Sequence, residues 1–327
     1  MYVIETNDLT RKFGDITAVD GLSLRIEAGE VFGLLGPNGA GKSTTLNMLC
    51  TILKPTSGKA TINGLDVDKH PDKVRQIIGI VFQDPSIDNR LTGRENLEMH
   101  AELYNVDPKL AKERIGDLLT LVELDQRAGE VVKNYSGGMR RRLEIARGLI
   151  HHPKVLFLDE PTIGLDPQTR AKIWEYIKRL SDEEDITIIL TTHYMDEAEL
   201  LCDRVGIIDH GKIVALGSPK ELIREIGQDV ATVQTDDNSR AKEFESAEFV
   251  KKVTVGAKVT IVLDDSTSAM PRLFEYASKK GIRITSIELR RPTLNDVFLL
   301  RVGRELREEH GDGKDAVRRR MHMRGIR

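Results

Sequence analysis

Apolar and polar residues alternate along the first thirty positions of the chain, and glycines interrupt the run at three points. A period of two residues is the pattern of a strand with one buried face, and glycines between strands favour turns. The short run Gly58–Gly64 has the same character. The chain is therefore expected to begin with an antiparallel sheet. Its apolar positions are Val3, Leu9, Phe13, Ile16, Val19 and Leu24.

Apolar runs later in the chain indicate strands that are covered on both faces. They lie at Val31–Leu35, Val155–Leu158 and Ile186–Leu190, with helical spacing between the last two. Alternation of strand, helix and strand favours parallel pairing, so an α/β core is predicted. Between about residues 85 and 150 the apolar spacing is helical and charges are frequent, which predicts a helical insertion. Two shorter strands are expected further on, at Arg204–Ile208 and Lys212–Leu216.

The pattern changes again after about residue 228, to short alternating strands separated by helices. We predict that residues 1–228 form the core unit and that residues 229–303 form a small α+β domain. Residues 304–327 are polar and rich in arginine, which is typical of a solvated tail; contact with anionic lipid headgroups is the alternative. The strands are expected at Val230–Thr235, Lys258–Leu263 and Ile282–Leu289, and the helices at Ala269–Lys280 and Thr293–Val302.

Composition narrows the class of protein. A chain of 327 residues with a net charge of −3 is long enough for two domains and has no overall electrostatic footprint for nucleic acid, so no nucleic-acid partner is expected. Cys50 and Cys202 lie in apolar surroundings and are interpreted as buried thiols of a reducing compartment. Neither a secretory signal nor an apolar run of about 18 residues is found, which predicts a cytoplasmic location.

The segment Gly36–Ser43 follows the first apolar run and precedes residues suited to a helix. Its glycines let the backbone curl so that N–H groups point inward, and the helix N-terminus adds partial positive charge. A lysine in this position reaches the β- and γ-phosphates, and the serine hydroxyl after it binds magnesium. The segment therefore predicts a site for a nucleoside triphosphate with Mg²⁺. The residues expected to contact the nucleotide are Gly36, Pro37, Asn38, Gly39, Ala40, Gly41, Lys42, Ser43 and Thr44.

Two carboxylates, Asp159 and Glu160, come directly after the buried strand Val155–Leu158. A carboxylate beside a phosphate loop is where a nucleotidase holds Mg²⁺, so Asp159 is expected to join Ser43 as a metal ligand. Glu160 points differently and is expected to polarise the attacking water as general base. The alternative is an acidic pair that only caps the next helix.

Gln83 and His193 also follow apolar strands, and ligands bind at the carboxyl ends of strands in open α/β sheets. Gln83 is expected to coordinate Mg²⁺ and orient water, and His193 to hydrogen-bond the γ-phosphate. Alone, either would be interpreted as an ordinary turn residue. Together with Lys42 and Glu160 they form the expected catalytic group.

A second phosphate-binding device is predicted at Ser136, Gly137 and Gly138, which open a helix. Ser136 is suited to the N-cap, and the glycines leave backbone amides bare at the positive end of the helix. One γ-phosphate does not need two helix N-termini from one molecule, whereas two chains placed head to tail can share them. The cations at Arg140–Arg142 oppose the helix dipole, so we expect them to be solvated or drawn toward a partner's nucleotide.

Taken in this order, the motifs resemble those of the nucleotide-binding subunit of an ATP-binding cassette (ABC) transporter, over about residues 1–220. The resemblance implies a P-loop ATPase fold with an antiparallel β-subdomain and a helical subdomain, and ATP with Mg²⁺ as cofactors. It also implies a head-to-tail homodimer in which Ser136–Gly138 grips the γ-phosphate bound by the opposite subunit. Further implications are that Phe13 stacks on adenine and that Asp166 couples the two sites. A separate transmembrane permease would dock near Gln83 and hold the ATPase on the cytoplasmic face of the cell membrane.

The segment Arg291–Phe298 resembles the C-terminal part of exporter ATPases of the daunorubicin/doxorubicin-resistance type, which implies export of drugs, lipids or other hydrophobic compounds. Two other classes stay open. A cassette ATPase acting on ribosomes or DNA would have two cassettes or a long coiled coil, and this chain has one uninterrupted cassette. A regulatory module without turnover would lack a general base, and Glu160 is present. The expected function is therefore an ATPase that powers a membrane exporter.

Overall fold

The structure, a computed structural model, describes residues 1–184, 186–226, 229–255, 259–263 and 266–302, and the arginine-rich tail expected at 304–327 lies outside them. The strands are β1 (Tyr2–Phe13), β2 (Ile16–Leu22), β3 (Arg25–Glu27), β4 (Val31–Leu35), β5 (Ser57–Ile62), β6 (Leu65–Asp66), β7 (Ile78–Val81), β8 (Val155–Asp159), β9 (Thr187–Thr192), β10 (Arg204–Asp209), β11 (Lys212–Gly217), β12 (Asp229–Thr235), β13 (Val250–Val255), β14 (Val259–Leu263) and β15 (Ile284–Arg290). The helices are α1 (Lys42–Leu49), α2 (Pro71–Ile77), α3 (Gly93–Leu103), α4 (Pro108–Leu121), α5 (Gly137–Leu149), α6 (Pro167–Glu184), α7 (Met195–Leu201), α8 (Pro219–Ile226), α9 (Ser266–Lys279) and α10 (Leu294–Val302).

The central element is a six-stranded sheet in the order β11-β10-β4-β9-β8-β7. Its strands are parallel except β11, which pairs with β10 in the antiparallel sense. Strands β4, β8 and β9 are buried along their whole length. The predicted α/β core is therefore confirmed, and the carboxyl ends of β4, β9, β8 and β7 lie side by side.

The N-terminal sheet is antiparallel, as predicted, and β1 pairs with β2, β3 and β5. Its buried face packs toward the central sheet. Ile4 and Ile62 lie in one apolar cluster with Leu46 of α1 and Phe157 of β8. This packing places the start of α1 between the two sheets.

Three helices, α3, α4 and α5, lie between β7 and β8 and form the predicted helical insertion. They share an apolar core that includes Leu97, Ile115 and Leu143. Helix α3 begins with a reciprocal cap, in which the Thr92 side chain accepts from the Glu95 amide and the Glu95 side chain accepts from the Thr92 amide. The insertion therefore has its own core and presents the start of α5 toward α6.

A third, four-stranded sheet has the order β13-β14-β12-β15. Leu273 of α9 packs in its main core, with Val233 and Ile261. In contrast, Val297 and Phe298 of α10 belong to the apolar cluster of the central sheet. The domain boundary expected near residue 228 stays a prediction.

Sequence reasoning missed β13 and the 3₁₀ helix Asn238–Ser246. Strand β13 is at the edge of its sheet, and its exposed Lys251 and Lys252 interrupt the alternation that marks a strand. Cys50 and Cys202 are free and buried, as predicted, and burial raises the pKa of both thiols. Among the described helices, none combines the length and the apolar character needed to cross a bilayer.

Candidate nucleotide site

The loop after β4 has glycines at positions where a side chain would strain the backbone or clash with neighbouring residues. Gly39 and Gly41 have φ angles of 82° and 111°, in the left-handed region. A Cβ atom on Gly36 would lie 2.3 Å from the Ile208 carbonyl oxygen, and one on Gly41 would lie 2.4 Å from that of Ala18. Glycine is therefore required for the chain to pass its neighbours and turn into α1.

Helix α1 begins without a side-chain cap among the described residues, because Gly41 stands at its N-cap position. The first N–H groups of any helix have no partner inside the helix. Their partial positive charge favours an anion. The start of α1 is thus suited to phosphate, as the sequence predicts.

Lys42 is buried with its ammonium group turned back on the loop. Its Nζ donates to the Gly36 carbonyl oxygen at 2.7 Å and lies 3.3 Å from Glu160 Oε1. Both charged side chains are only 6% exposed, so salt screens their attraction little. The phosphate-binding cation and the general base expected from the sequence are in direct contact.

Asp159 ends β8 beside the first turn of α1. Ser43 Oγ donates to Asp159 Oδ1 at 3.3 Å, and Thr191 Oγ1 donates to the same oxygen at 2.5 Å. The two expected metal ligands are therefore neighbours. Thr191, on β9, is a further member of the site that sequence reasoning missed.

Glu160 starts the turn after β8 with a φ angle of 48°, a left-handed conformation that costs a residue with a Cβ atom about 1–2 kcal/mol. Its amide donates to the carbonyl oxygen and to Oγ1 of Thr191, both at 3.1 Å. His193 Nδ1 lies 2.7 Å from Glu160 Oε2. The strained turn thus brings Lys42, Asp159, Glu160 and His193 together at the carboxyl edge of the sheet.

Two expected residues stand apart from this group. Gln83 follows β7 in an exposed bend, and its side chain makes no hydrogen bond to any described residue. Phe13 ends β1 with 45% of its surface exposed, and the Arg11 guanidinium lies 4.6 Å from its ring centre. A half-exposed ring is available for stacking on a base.

Ser136 caps α5 as predicted, since its side chain accepts from the Met139 amide at 3.2 Å. The glycines beside it face the start of α6. A Cβ atom on Gly138 would lie 2.3 Å from Thr169 Cγ2, and the atom nearest to one on Gly137 would be Leu165 Cδ2, at 3.8 Å. The second helix N-terminus therefore lies against a segment other than the loop Gly36–Ser43.

Asp166 occupies the same segment and caps α6. Its carboxylate accepts from the Thr169 amide at 3.0 Å and from Thr169 Oγ1 at 2.6 Å. The hydrogen bonds from Thr169 hold the pKa of Asp166 below its usual value. Asp166 and Gly138 thus share Thr169 as a neighbour within one chain.

Comparison with known proteins agrees with this arrangement. Residues 19–163 match the family model described as ABC transporter, and residues 217–302 match that of the ATP-binding protein DrrA1-3-like, C-terminal domain. The daunorubicin/doxorubicin resistance ATP-binding protein DrrA of Streptomyces peucetius is 41% identical over 306 residues, which cover 92% of this chain and 92% of that protein. The chain belongs to the ABC transporter family. It is an ATP-binding subunit with the ATPase activity of that family.

Two other proteins support the assignment over different parts of this ABC ATPase. The linearmycin resistance ATP-binding protein LnrL of Bacillus subtilis is 37% identical over 94% of this chain and 100% of its own length. A solved dimeric structure of the ATP-binding cassette MJ0796, in a post-hydrolysis state with ADP and Pi, covers 66% of this chain and 98% of its own, with a TM-score of 0.60 and 29% identity.

The oxygen atoms of this ABC ATPase site suit Mg²⁺. Within the described part of the chain, no group of three His, Cys, Asp or Glu side chains could hold a metal ion by itself. Mg²⁺ in phosphate-transfer enzymes needs no such group, because it is bound by one or two carboxylates, substrate phosphates and water. Ser43 Oγ and Asp159 Oδ1, 3.3 Å apart, fit that requirement.

Of the three cations at Arg140–Arg142, Arg141 departs from the solvated position expected, since its side chain is buried. Arg141 is buried under the turn after β8, Arg142 donates to the Val122 carbonyl at 2.9 Å, and Arg140 donates to the Lys133 carbonyl at 3.0 Å. Backbone carbonyl oxygens of the same chain therefore accept hydrogen bonds from all three arginines. These carbonyl groups offset the opposing helix dipole within the chain.

Proposed function

We propose that two copies of this chain bind two ATP–Mg²⁺ head to tail and power a separate transmembrane permease. The observation that carries the proposal is the presence of two phosphate-binding helix N-termini, on α1 and α5, in one chain. Gly137 and Gly138 lie against Leu165 and Thr169, while Lys42 lies at the loop. A second copy would bring the two devices to one nucleotide, and the dimeric form of MJ0796 supports this arrangement.

In the proposed reaction, Glu160 accepts a proton from the water that attacks the γ-phosphate. Lys42 offsets the charge of the β- and γ-phosphates, and His193, which lies against Glu160, hydrogen-bonds the γ-phosphate. Ser43, Asp159 and Gln83 would hold Mg²⁺, which when bound neutralises charge on the phosphate oxygens. The loop amides and the amides of Ser136–Gly138 bind phosphate, Phe13 stacks on adenine, and Asp166 couples the two sites.

Export is proposed from the names of the relatives. DrrA is named for resistance to daunorubicin and doxorubicin, and LnrL for resistance to linearmycin. We therefore propose that the permease exports a drug or another hydrophobic compound. The ATPase would lie on the cytoplasmic face of the membrane through that permease, with residues 229–303 as an accessory domain.

We place the docking of the permease on α3 and on the segment between Gln83 and α3. Met99 and Leu103, one helical turn apart, are 40% and 69% exposed. Exposed apolar side chains that are adjacent on a helix suit a partner surface. Gln83 precedes α3 by one short segment, so a movement of Gln83 would be transmitted to a partner bound on α3.

Not every charge in this region is suitable for a test. Asp88 pairs with Arg90 at 3.0 Å, and Glu95 forms the cap of α3, so reversal at either would also remove a contact within the chain. Arg94 and Glu98 are exposed, and within the described residues their side chains form no hydrogen bond or ion pair.

Charge reversal at Arg94 and Glu98 tests the docking surface. Arg94→Glu with Glu98→Lys should abolish recruitment to membranes that contain the permease and leave ATP hydrolysis by the isolated protein near the wild-type rate. Lys112→Glu, on exposed helix α4, is the matched control and should be recruited normally. Normal recruitment of the double variant would exclude this surface.

Mixing two inactive variants tests the shared site. Lys42→Ala removes the loop cation, and Ser136→Arg blocks the second phosphate device. In a mixed dimer one site carries both defects and the other carries neither, so ATPase activity should return on mixing. The shared-site model fails if activity stays at the level of the separate variants although size-exclusion chromatography shows mixed dimers, or if no dimer forms with ATP.

A further inference from the structure

Arg141 of α5 uses every N–H group of its guanidinium. An arginine side chain has five N–H donors in a rigid, planar arrangement. The side chain is 8% exposed, so water does not replace these partners. The acceptors are the carbonyl oxygens of Phe82 at 2.6 Å, Asp159 at 2.9 Å, Glu160 at 3.1 Å and Pro161 at 2.7 Å, and Glu144 Oε2 at 3.1 Å.

Three of these acceptors form the turn that carries Glu160. Its left-handed φ angle of 48° is unfavourable for a residue with a Cβ atom and persists only where the surroundings fix it. Arg141 binds the carbonyl groups before, at and after Glu160, while Thr191 holds the Glu160 amide. The direction of the Glu160 carboxylate therefore depends on Arg141.

The remaining acceptors join the same guanidinium to the segment that carries Gln83. Phe82 directly precedes Gln83, and its carbonyl oxygen accepts from Arg141 Nη1. Glu144, which pairs with Arg141, accepts from the Ser86 amide at 2.8 Å through its other oxygen. Helix α5 thus holds both sides of the Gln83 bend as well as the Glu160 turn.

We propose that Arg141 is a positioning residue for ATP hydrolysis, which holds the Glu160 turn and the Gln83 segment in one fixed arrangement on α5. The inference rests on the proposed role of Glu160 as general base. Helix α5 begins with Ser136–Gly138, which in the proposed dimer meets the nucleotide bound by the partner. Arg141 therefore also connects that segment to Glu160 and Gln83, which act on the nucleotide bound by the same chain. Arg141 is not expected to contact the nucleotide; it acts only through the residues that it holds in place.

The first test replaces Arg141 by lysine. Lysine keeps the charge but has three donors on a single nitrogen and cannot reach five separated acceptors. We expect kcat to fall by about 10²-fold, the effect of a misplacement of about 1 Å, with KM for ATP within about threefold of wild type. Arg142→Lys is the matched control, since its acceptors are Val122, Glu123 and Tyr176, and its kcat should stay near wild type.

A mutant cycle separates positioning from a general structural role. In the Glu160→Gln background, Arg141→Lys should lower the single-turnover rate of ATP hydrolysis much less than it does in wild type, because the part of its effect that passes through Glu160 is already lost. A destabilising change would act equally in both backgrounds. If the two effects multiply, Arg141 does not act through Glu160 and the inference is overturned.

Glu144→Gln serves as a second variant if Arg141→Lys does not fold. It places an amide donor or a neutral oxygen against Arg141 without removing the backbone contacts, and should likewise lower kcat and spare KM. A wild-type kcat in whichever variant folds, alongside a slow Glu160→Gln protein, overturns this inference alone. A wild-type rate in Glu160→Gln overturns the proposed general base, and the positioning role with it.

Discussion

Replacing Gly138 by alanine would place a methyl group against the start of α6. The new Cβ atom would lie 2.3 Å from Thr169 Cγ2, whereas carbon atoms in contact are about 3.5–4.0 Å apart. Thr169 cannot rotate freely to relieve this contact, because its Oγ1 donates to Asp166 at 2.6 Å. Either α5 and α6 separate, or the cap of α6 is lost.

The cost follows from these contacts. Overpacking costs about 1–3 kcal/mol, and loss of a helix cap costs about 1 kcal/mol. Alanine in place of glycine in a helix recovers about 0.5–1 kcal/mol. We therefore expect Gly138→Ala to lower the free energy of unfolding by up to about 2.5 kcal/mol, and to lower ATPase activity because Asp166 shifts.

Urea unfolding followed by circular dichroism measures this change as a lower midpoint at unchanged slope. Gly137→Ala is the matched control, since its Cβ atom would meet Leu165 Cδ2 at an ordinary 3.8 Å. Adding Thr169→Ser to Gly138→Ala removes the clashing methyl group and keeps the hydroxyl, and should restore most of the stability. A Gly138→Ala protein as stable as Gly137→Ala would refute the reasoning, as would a double variant without recovery.

Two further predictions concern the site chemistry and the response to pH. Glu160→Gln should bind a fluorescent ATP analogue with Mg²⁺ as wild type does while phosphate release slows by about 10²–10⁴-fold, and a wild-type release rate would remove Glu160 from the role of general base. Burial, with help from Arg147 and His151, lowers the pKa of His100 from 6.5 to about 4, so between these values the unfolded chain binds a proton that the native chain does not. The free energy of unfolding should therefore fall as pH drops from about 6.5 toward 4. Unfolding midpoints measured at pH 7 and pH 5 should differ less for His100→Gln than for wild type. An equal difference in the two proteins would contradict this role of His100.

The nucleotide loop could be predicted from the sequence because its requirements are local. Gly36–Ser43 is continuous, and the positive φ angles of Gly39 and Gly41 are what its glycines indicate. Glu160 and His193 could be placed near it because each follows a strand and parallel strands end at one edge of the sheet. Their roles stay predictions, since only their positions are described.

Arg141 could not be predicted in the same way. Its acceptors are mainly backbone carbonyl groups, which every residue carries, and they lie 18 to 59 positions away along the chain. The only signal was indirect, namely cations early in a helix that oppose its dipole. Such a cation needs nearby oxygen atoms, but the sequence does not say which.

Helix α10 is the last described element to be synthesised, yet it fills the core of the first domain-sized part of the chain. Leu294, Val297 and Phe298 are at most 1% exposed and pack in the cluster that contains Leu35 and Leu190. During translation, the apolar surfaces of α7 and α8 therefore stay uncovered until residues about 70 to 100 positions further along the chain are made. A chain truncated before α10 would keep all its nucleotide-binding motifs. Its core would lack these side chains, so apolar surface would stay exposed to chaperones and proteases.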